Sequence, residues 1–202
     1  MDLTKKDFDL QLKEDSAANN FRVEGNYIVF DKTSNLNYQI LPDFTLGDLL
    51  TKNPIASYTK LNKDLLVRLN MFALGYLQGH PNEGASKIKI NSSYRSPEYN
   101  MTVFGALKNS KHTTGDALDL GVSDVGGFFA AVTSFNYGGE IDLYNWGMTY
   151  AVANGSIVRD HRTPVTLMSK VKDAIAPDTN RNWLMIGLVA LCSFVFIRKV
   201  FK

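Results

Sequence analysis

The ten residues Ser110-Lys111-His112-Thr113-Thr114-Gly115-Asp116-Ala117-Leu118-Asp119 constrain this chain more than any other stretch. Serine and threonine around His112 favour a hydrogen-bonded loop, Gly115 permits a tight turn, and Ala117-Leu118-Asp119 opens an apolar strand. A strand leaving that turn returns Asp119 to the side of His112. An imidazole nitrogen and a carboxylate oxygen then face one cation, the mixed ligation that a catalytic zinc uses with a position left open. The seven-residue spacing alone arises often by chance; the residues between give it weight. The only cysteine, Cys192, excludes an internal disulfide framework and a cysteine-rich centre, so any metal is held by histidine and carboxylate.

Around this segment the pattern is α+β. Residues 21–43 hold two runs rich in Val, Ile, Tyr and Phe on either side of Asp31 to Asn35, which predicts a β-hairpin. Apolar residues at Leu61, Leu65, Leu66, Leu69, Phe72, Ala73, Tyr76 and Leu77 predict a helix over 60–78. The segment 87–96, KIKINSSYRS, reads as a core strand entering a polar loop, and Pro97 opens a short helix. A strand is expected at 116–122, a helix at 126–135, and one or two strands over 141–162 joined by a turn at Asn154-Gly155. The expected fold is a small antiparallel sheet with flanking helices.

Residues 183–197 carry no charge and are bracketed by Arg181 before and by Arg198, Lys199 and Lys202 after, which predicts a C-terminal transmembrane helix. Such a run rises only about 22 Å against a hydrocarbon core of roughly 30 Å, so it would lean on snorkelling basic residues. The competing reading is a buried core helix, but a segment apolar on every face with Trp183 at one border fits lipid better. The expected organisation is therefore an N-terminal segment with a hairpin (1–43), a catalytic-type domain (44–163), a helical connector (164–182) and a membrane anchor with a basic tail (183–202). The expected location is a virion membrane or a bacterial inner membrane, reached without a secretory signal peptide, since the N-terminus has no uninterrupted apolar stretch. The 22 basic and 20 acidic residues are spread along the chain, which excludes a nucleic-acid partner.

The decapeptide is similar to the Ser-x-His-x-x-Gly-x-Ala-x-Asp motif of the zinc D-alanyl-D-alanine carboxypeptidase-like peptidases, relatives of the hedgehog-like proteins. The resemblance extends upstream through Ser92-Ser93-Tyr94-Arg95-Ser96-Pro97 and Asn100, covering roughly residues 44–122. It implies His112 and Asp119 as zinc ligands and Arg95 as the cation that stabilises a developing oxyanion or holds a substrate carboxylate. Ser110 and Gly115 would shape the ligand loop, while Tyr94, Asn100 and Asp116 have weaker claims. Simple alignment puts Tyr150 where the family carries its third ligand, a histidine. The remaining downstream histidine, His161, is the replacement ligand if residues 157–162 return antiparallel to the strand of Tyr150. Asp160 would then orient it or act as base, with Asp142 a second candidate base.

Two functional readings stay open. One is a zinc peptidase that hydrolyses peptidoglycan peptide bonds next to D-alanine, of the endolysin type, attached to a phage or other virion and its lipid membrane. The other is a catalytically degenerate relative serving as a structural protein of a membrane-containing virion or envelope, in contact with other virion proteins.

Overall fold

The computed structural model describes residues 5–79, 88–134 and 138–162. They belong to one compact unit extending to Arg162. Helix α1 (Lys5–Asp15) buries Phe8 and Leu12. A three-stranded sheet follows from β1 (Arg22–Glu24), β2 (Tyr27–Phe30) and β5 (Thr59–Asn62), all antiparallel. Its hairpin turns at Gly25-Asn26, because Gly25 takes φ +60. The expected turn at Asp31 to Asn35 instead links β2 to a separate pair, β3 (Gln39–Leu41) with β4 (Phe44–Thr45), after which comes the short helix α2 (Leu46–Leu49). A glycine that accepts positive φ next to an asparagine outweighed the more numerous polar residues downstream.

Helix α3 (Lys63–Gly79) begins three residues later than expected, since β5 occupies the first part of the apolar run. Asn62 caps it, its Oδ1 accepting from the Asp64 amide at 2.8 Å. Leu65, Leu66, Leu69, Phe72, Ala73 and Tyr76 are buried along one stripe, the i, i+3, i+4 spacing that covers a sheet.

That sheet has five strands in the order β10 (Ser156–Asp160), β8 (Gly139–Tyr144), β9 (Gly147–Ala151), β7 (Ala117–Gly121) and β6 (Lys89–Ser92). All neighbours are antiparallel except β10, which pairs in parallel with β8. Leu118, Leu120, Ile141, Leu143, Met148 and Tyr150 form its buried face, under α3 and α4 (Val125–Ser134). Phe72 meets Tyr150 and Phe128 edge to face, with centroids at 4.8 and 6.5 Å. Because side chains alternate along a strand, Ala117, Asp119, Glu140, Asp142, Tyr144, Thr149 and Ala151 are left on the opposite face.

Two expectations need correction. The α+β class holds, with small sheets and helices, but a transmembrane helix is not part of the described fold. Among the described residues no helix is long and apolar enough to cross a membrane. The longest, α3, is apolar on one stripe only and packs on the sheet. The single-pass location inferred from the C-terminus falls with it; residues 183–197, and the connector before them, lie outside the described residues. His80 also lies outside them.

Candidate metal centre and its cleft

His112 sits in a single 3-10 turn, Lys111–Thr113, capped by Ser110, and is 4% exposed. Its Nδ1 lies 2.6 Å from the Ser93 carbonyl oxygen. A carbonyl only accepts, so Nδ1 carries a proton, and Nε2 is the nitrogen turned to Asp119: a lone pair when the ring is neutral, an N–H donor when the ring carries a second proton. The loop is held against β5: the Asn62 amide donates to the Gly115 carbonyl at 2.9 Å, and Asn62 Nδ2 donates to Asp116 Oδ1 at 2.8 Å. Tyr27 also donates to Asp116, at 3.2 Å. Asp116 is thus a loop anchor.

Gly115 has φ +84, and a Cβ there would come within 2.3 Å of the Lys60 carbonyl oxygen. Gly115→Ala is expected to lower stability by at least about 2 kcal/mol, from left-handed strain and backbone displacement, and to loosen His112. Thermal unfolding measures the first effect and zinc affinity the second.

Asp119 occupies the middle of β7. A row of directly paired residues crosses the sheet through it: Ser92, Asp119, Thr149, Asp142 and Arg159. Thr149 Oγ1 donates to Asp119 Oδ1 at 2.5 Å. Arg95 Nη2 donates to Oδ2 at 2.5 Å, and Arg95 Nε donates to Ser92 Oγ at 2.9 Å. The Arg95 amide in turn donates to the His112 carbonyl at 3.1 Å, tying the arginine to the histidine loop. Burial alone would raise the Asp119 carboxyl, but the hydrogen bond and charge of His112, with Thr149 and Arg95, hold it below the ordinary carboxylate value.

His112 Nε2 and Asp119 Oδ1 are 3.2 Å apart. In the neutral tautomer both are acceptors, so their approach calls for a cation or a shared proton between them. Two tetrahedral zinc ligands with bonds of about 2.0–2.1 Å stand about 3.3–3.4 Å apart, so this pair fits zinc. Among the described residues no group of three or more His, Cys, Asp or Glu side chains is placed to hold a metal ion together.

Tyr150 points away from this centre. It is 1% exposed on the buried face, donates to the Gly138 carbonyl at 2.9 Å and receives a hydrogen bond from Arg68. The β9 side chain beside Asp119 is Thr149. His161 follows β10, whose parallel pairing with β8, rather than an antiparallel return to β9, brings it beside Tyr144. Its Nε2 lies 2.9 Å from Asp142 Oδ1, so Asp142 is the carboxylate that orients it. Asp160 faces elsewhere: its carboxylate takes Arg162 Nη2 at 2.6 Å and Nε at 2.9 Å, an exposed pairing that lowers its pKa to about 2.

His112, Asp119, Arg95, His161 and Asp142 line one cleft of about 760 Å³. A smaller cavity of about 250 Å³ also borders Arg95 and Asp119, so that ion pair stands between two spaces. Tyr94 stacks on Tyr58 with centroids at 5.3 Å, and Asn100 donates to the Leu107 carbonyl at 2.8 Å. Both support the cleft wall. Thr149 and the Ser93 carbonyl were missed by sequence reasoning. Counting alternate residues along β9 from its apolar members would have found Thr149, but a backbone carbonyl leaves no signal in side-chain identity.

An imidazole from the turn and a carboxylate from β7, side by side at the cleft with a guanidinium on the carboxylate, supply the kinds of groups that a metal-assisted hydrolase uses. Residues 44–141 match the family model described as Peptidase M15. The match spans just under half of the chain and shows a similarity to that family over those residues. No curated protein and no solved structure matches the chain.

Proposed function

We propose that the chain is a zinc peptidase that hydrolyses peptide bonds of peptidoglycan, in stem peptides or cross-links next to D-alanine. The observation that carries this reading is the His112–Asp119 pair, with its imidazole tautomer set by Ser93 and its carboxylate braced by Thr149 and Arg95. His112 Nε2 and Asp119 Oδ1 would hold the metal. Zinc bound there supplies a polarised carbonyl and a water of lowered pKa.

The chain's own residues do the rest. Arg95 offers planar donors to the carbonyl oxygen as charge develops, or to a substrate carboxylate. The cavities on either side of Arg95 and Asp119 give room for substrate on both sides of the scissile bond. His161, held through Nε2 by Asp142, lines the same cleft and is the third-ligand candidate, one that must move to join His112 and Asp119 because the three do not group around one point in this structure.

Zinc content and muropeptide hydrolysis of wild type, His112→Ala, Asp119→Ala and His161→Ala test this. About one zinc per chain in wild type, lost together with hydrolysis in the first two variants, is the expected result. Loss in His161→Ala as well makes it the third ligand; retention makes the centre a two-residue site. A wild type with neither zinc nor hydrolysis would overturn the reading and leave a peptidase fold in a binding role. Thr149→Val, which keeps shape but removes the donor to Asp119, is expected to weaken zinc about 10–100-fold in a competition titration.

A further inference from the structure

His112 and Asp119 make up a small part of the cleft lining. Among its other residues three rings stack in sequence: Trp146 on Tyr144 with centroids at 5.0 Å and planes at 7°, and Tyr144 on His161 at 5.1 Å and 15°. Trp146 ends the stack and is 44% exposed although it lines the cleft. A stack so nearly parallel presents a flat indole face at the rim.

The polar groups beside it are paired with one another. Arg159 lies 3.2 Å from Glu140 Oε2 and 3.2 Å from Asp142 Oδ2, and Asp142 also holds His161. With one guanidinium between two carboxylates the trio keeps a net negative charge, which disfavours an anionic ligand. Its carboxylate oxygens accept and its guanidinium N–H groups donate in fixed planes, which suits neutral hydroxyl and amide groups.

We propose that the Trp146–Tyr144 platform, with Glu140, Asp142 and Arg159 beside it, is a subsite for a pyranose ring, the N-acetylhexosamine that carries the peptide. The C–H face of such a ring meets the electron-rich face of an indole, and its equatorial hydroxyls point sideways to the planar polar groups. The platform and the metal pair share one cleft, so a sugar seated on the first lets the attached peptide run toward the second. This assignment rests on the peptidoglycan reading for the identity of the sugar. Its binding chemistry does not depend on zinc.

The test is calorimetric titration of the full chain with N-acetylglucosamine oligomers, beside hydrolysis of a sugar-free stem peptide. Saturable binding is expected in wild type, weakened about tenfold or more in Trp146→Ala, partly recovered in Trp146→Phe and retained in His112→Ala. Hydrolysis of a disaccharide-peptide should show the same order in KM, while KM for the sugar-free peptide stays unchanged in the Trp146 variants. No binding by wild type, or equal binding by wild type and the folded Trp146→Ala protein, overturns the subsite. Sugar binding without peptide hydrolysis sinks the peptidase reading and spares the subsite; hydrolysis without sugar binding does the reverse.

Discussion

Asp119→Ala is expected to abolish hydrolysis and to destabilise the chain by about 3 kcal/mol, although a single small carboxylate is all that is removed. The reason is what the carboxylate leaves behind. Arg95 and Asp119 side chains are 14% and 13% exposed, so the deletion strands a nearly buried guanidinium and removes the acceptor of Thr149. Denaturant unfolding reads the stability and muropeptide release the activity. The double variant Arg95→Met/Asp119→Ala should regain part of the stability and none of the activity, because Arg95→Met removes the orphaned charge but restores no ligand. Stability losses that simply add would show that the two residues do not form a unit.

The same carboxylate gives the metal-free protein an acid-side signature. Its pKa is held down in the folded chain, so protonation favours the unfolded one. The stabilisation is complete above the ordinary carboxylate value, near pH 4, and disappears as pH falls through the depressed folded value. Asp119→Ala should therefore flatten the stability curve below about pH 4 relative to wild type. An unchanged acid limb would mean that the His112, Thr149 and Arg95 contacts do not favour the ionised form.

The centre was legible in the sequence where residue identity and local geometry coincide. His112, Gly115 and Asp119 belong to one loop, turn and strand, and the structure joins them as that segment implies. Arg95 lies far along the chain from Asp119, yet β6 and β7 are antiparallel neighbours, and the loop after β6 delivers it. Strand pairing at the far side was not legible. Nothing in Ser156 to Asp160 distinguishes an antiparallel return to β9 from a parallel partner of β8, because every side chain of that edge strand is exposed and no apolar face sets its register. The carboxylate assigned to His161 changed accordingly from Asp160, its chain neighbour, to Asp142, its neighbour across the sheet. The hairpin at Gly25 teaches a related lesson: composition marks a turn, whereas backbone conformation decides where it stands.

Alternation along β9 yields a paired prediction that no alignment of single residues makes. Thr149 and Tyr150 are adjacent, but one side chain touches Asp119 and the other packs on Phe72. Thr149→His is expected to tighten zinc by about two orders of magnitude or more. Zinc centres of four ligands bind with about 10–16 kcal/mol, so a further imidazole at the right place is worth on the order of 3 kcal/mol. Tyr150→His should gain no zinc affinity, because position 150 faces the core whatever residue occupies it. It should instead cost about 3 kcal/mol of stability, through the cavity beside Phe72 and the loss of the contacts with Arg68 and the Gly138 carbonyl. Zinc competition titration and thermal unfolding of the two variants side by side decide it. Tighter zinc at position 150 than at 149 would mean that the strand's faces are reversed, and the metal pair would then have to be placed on the other side of the sheet.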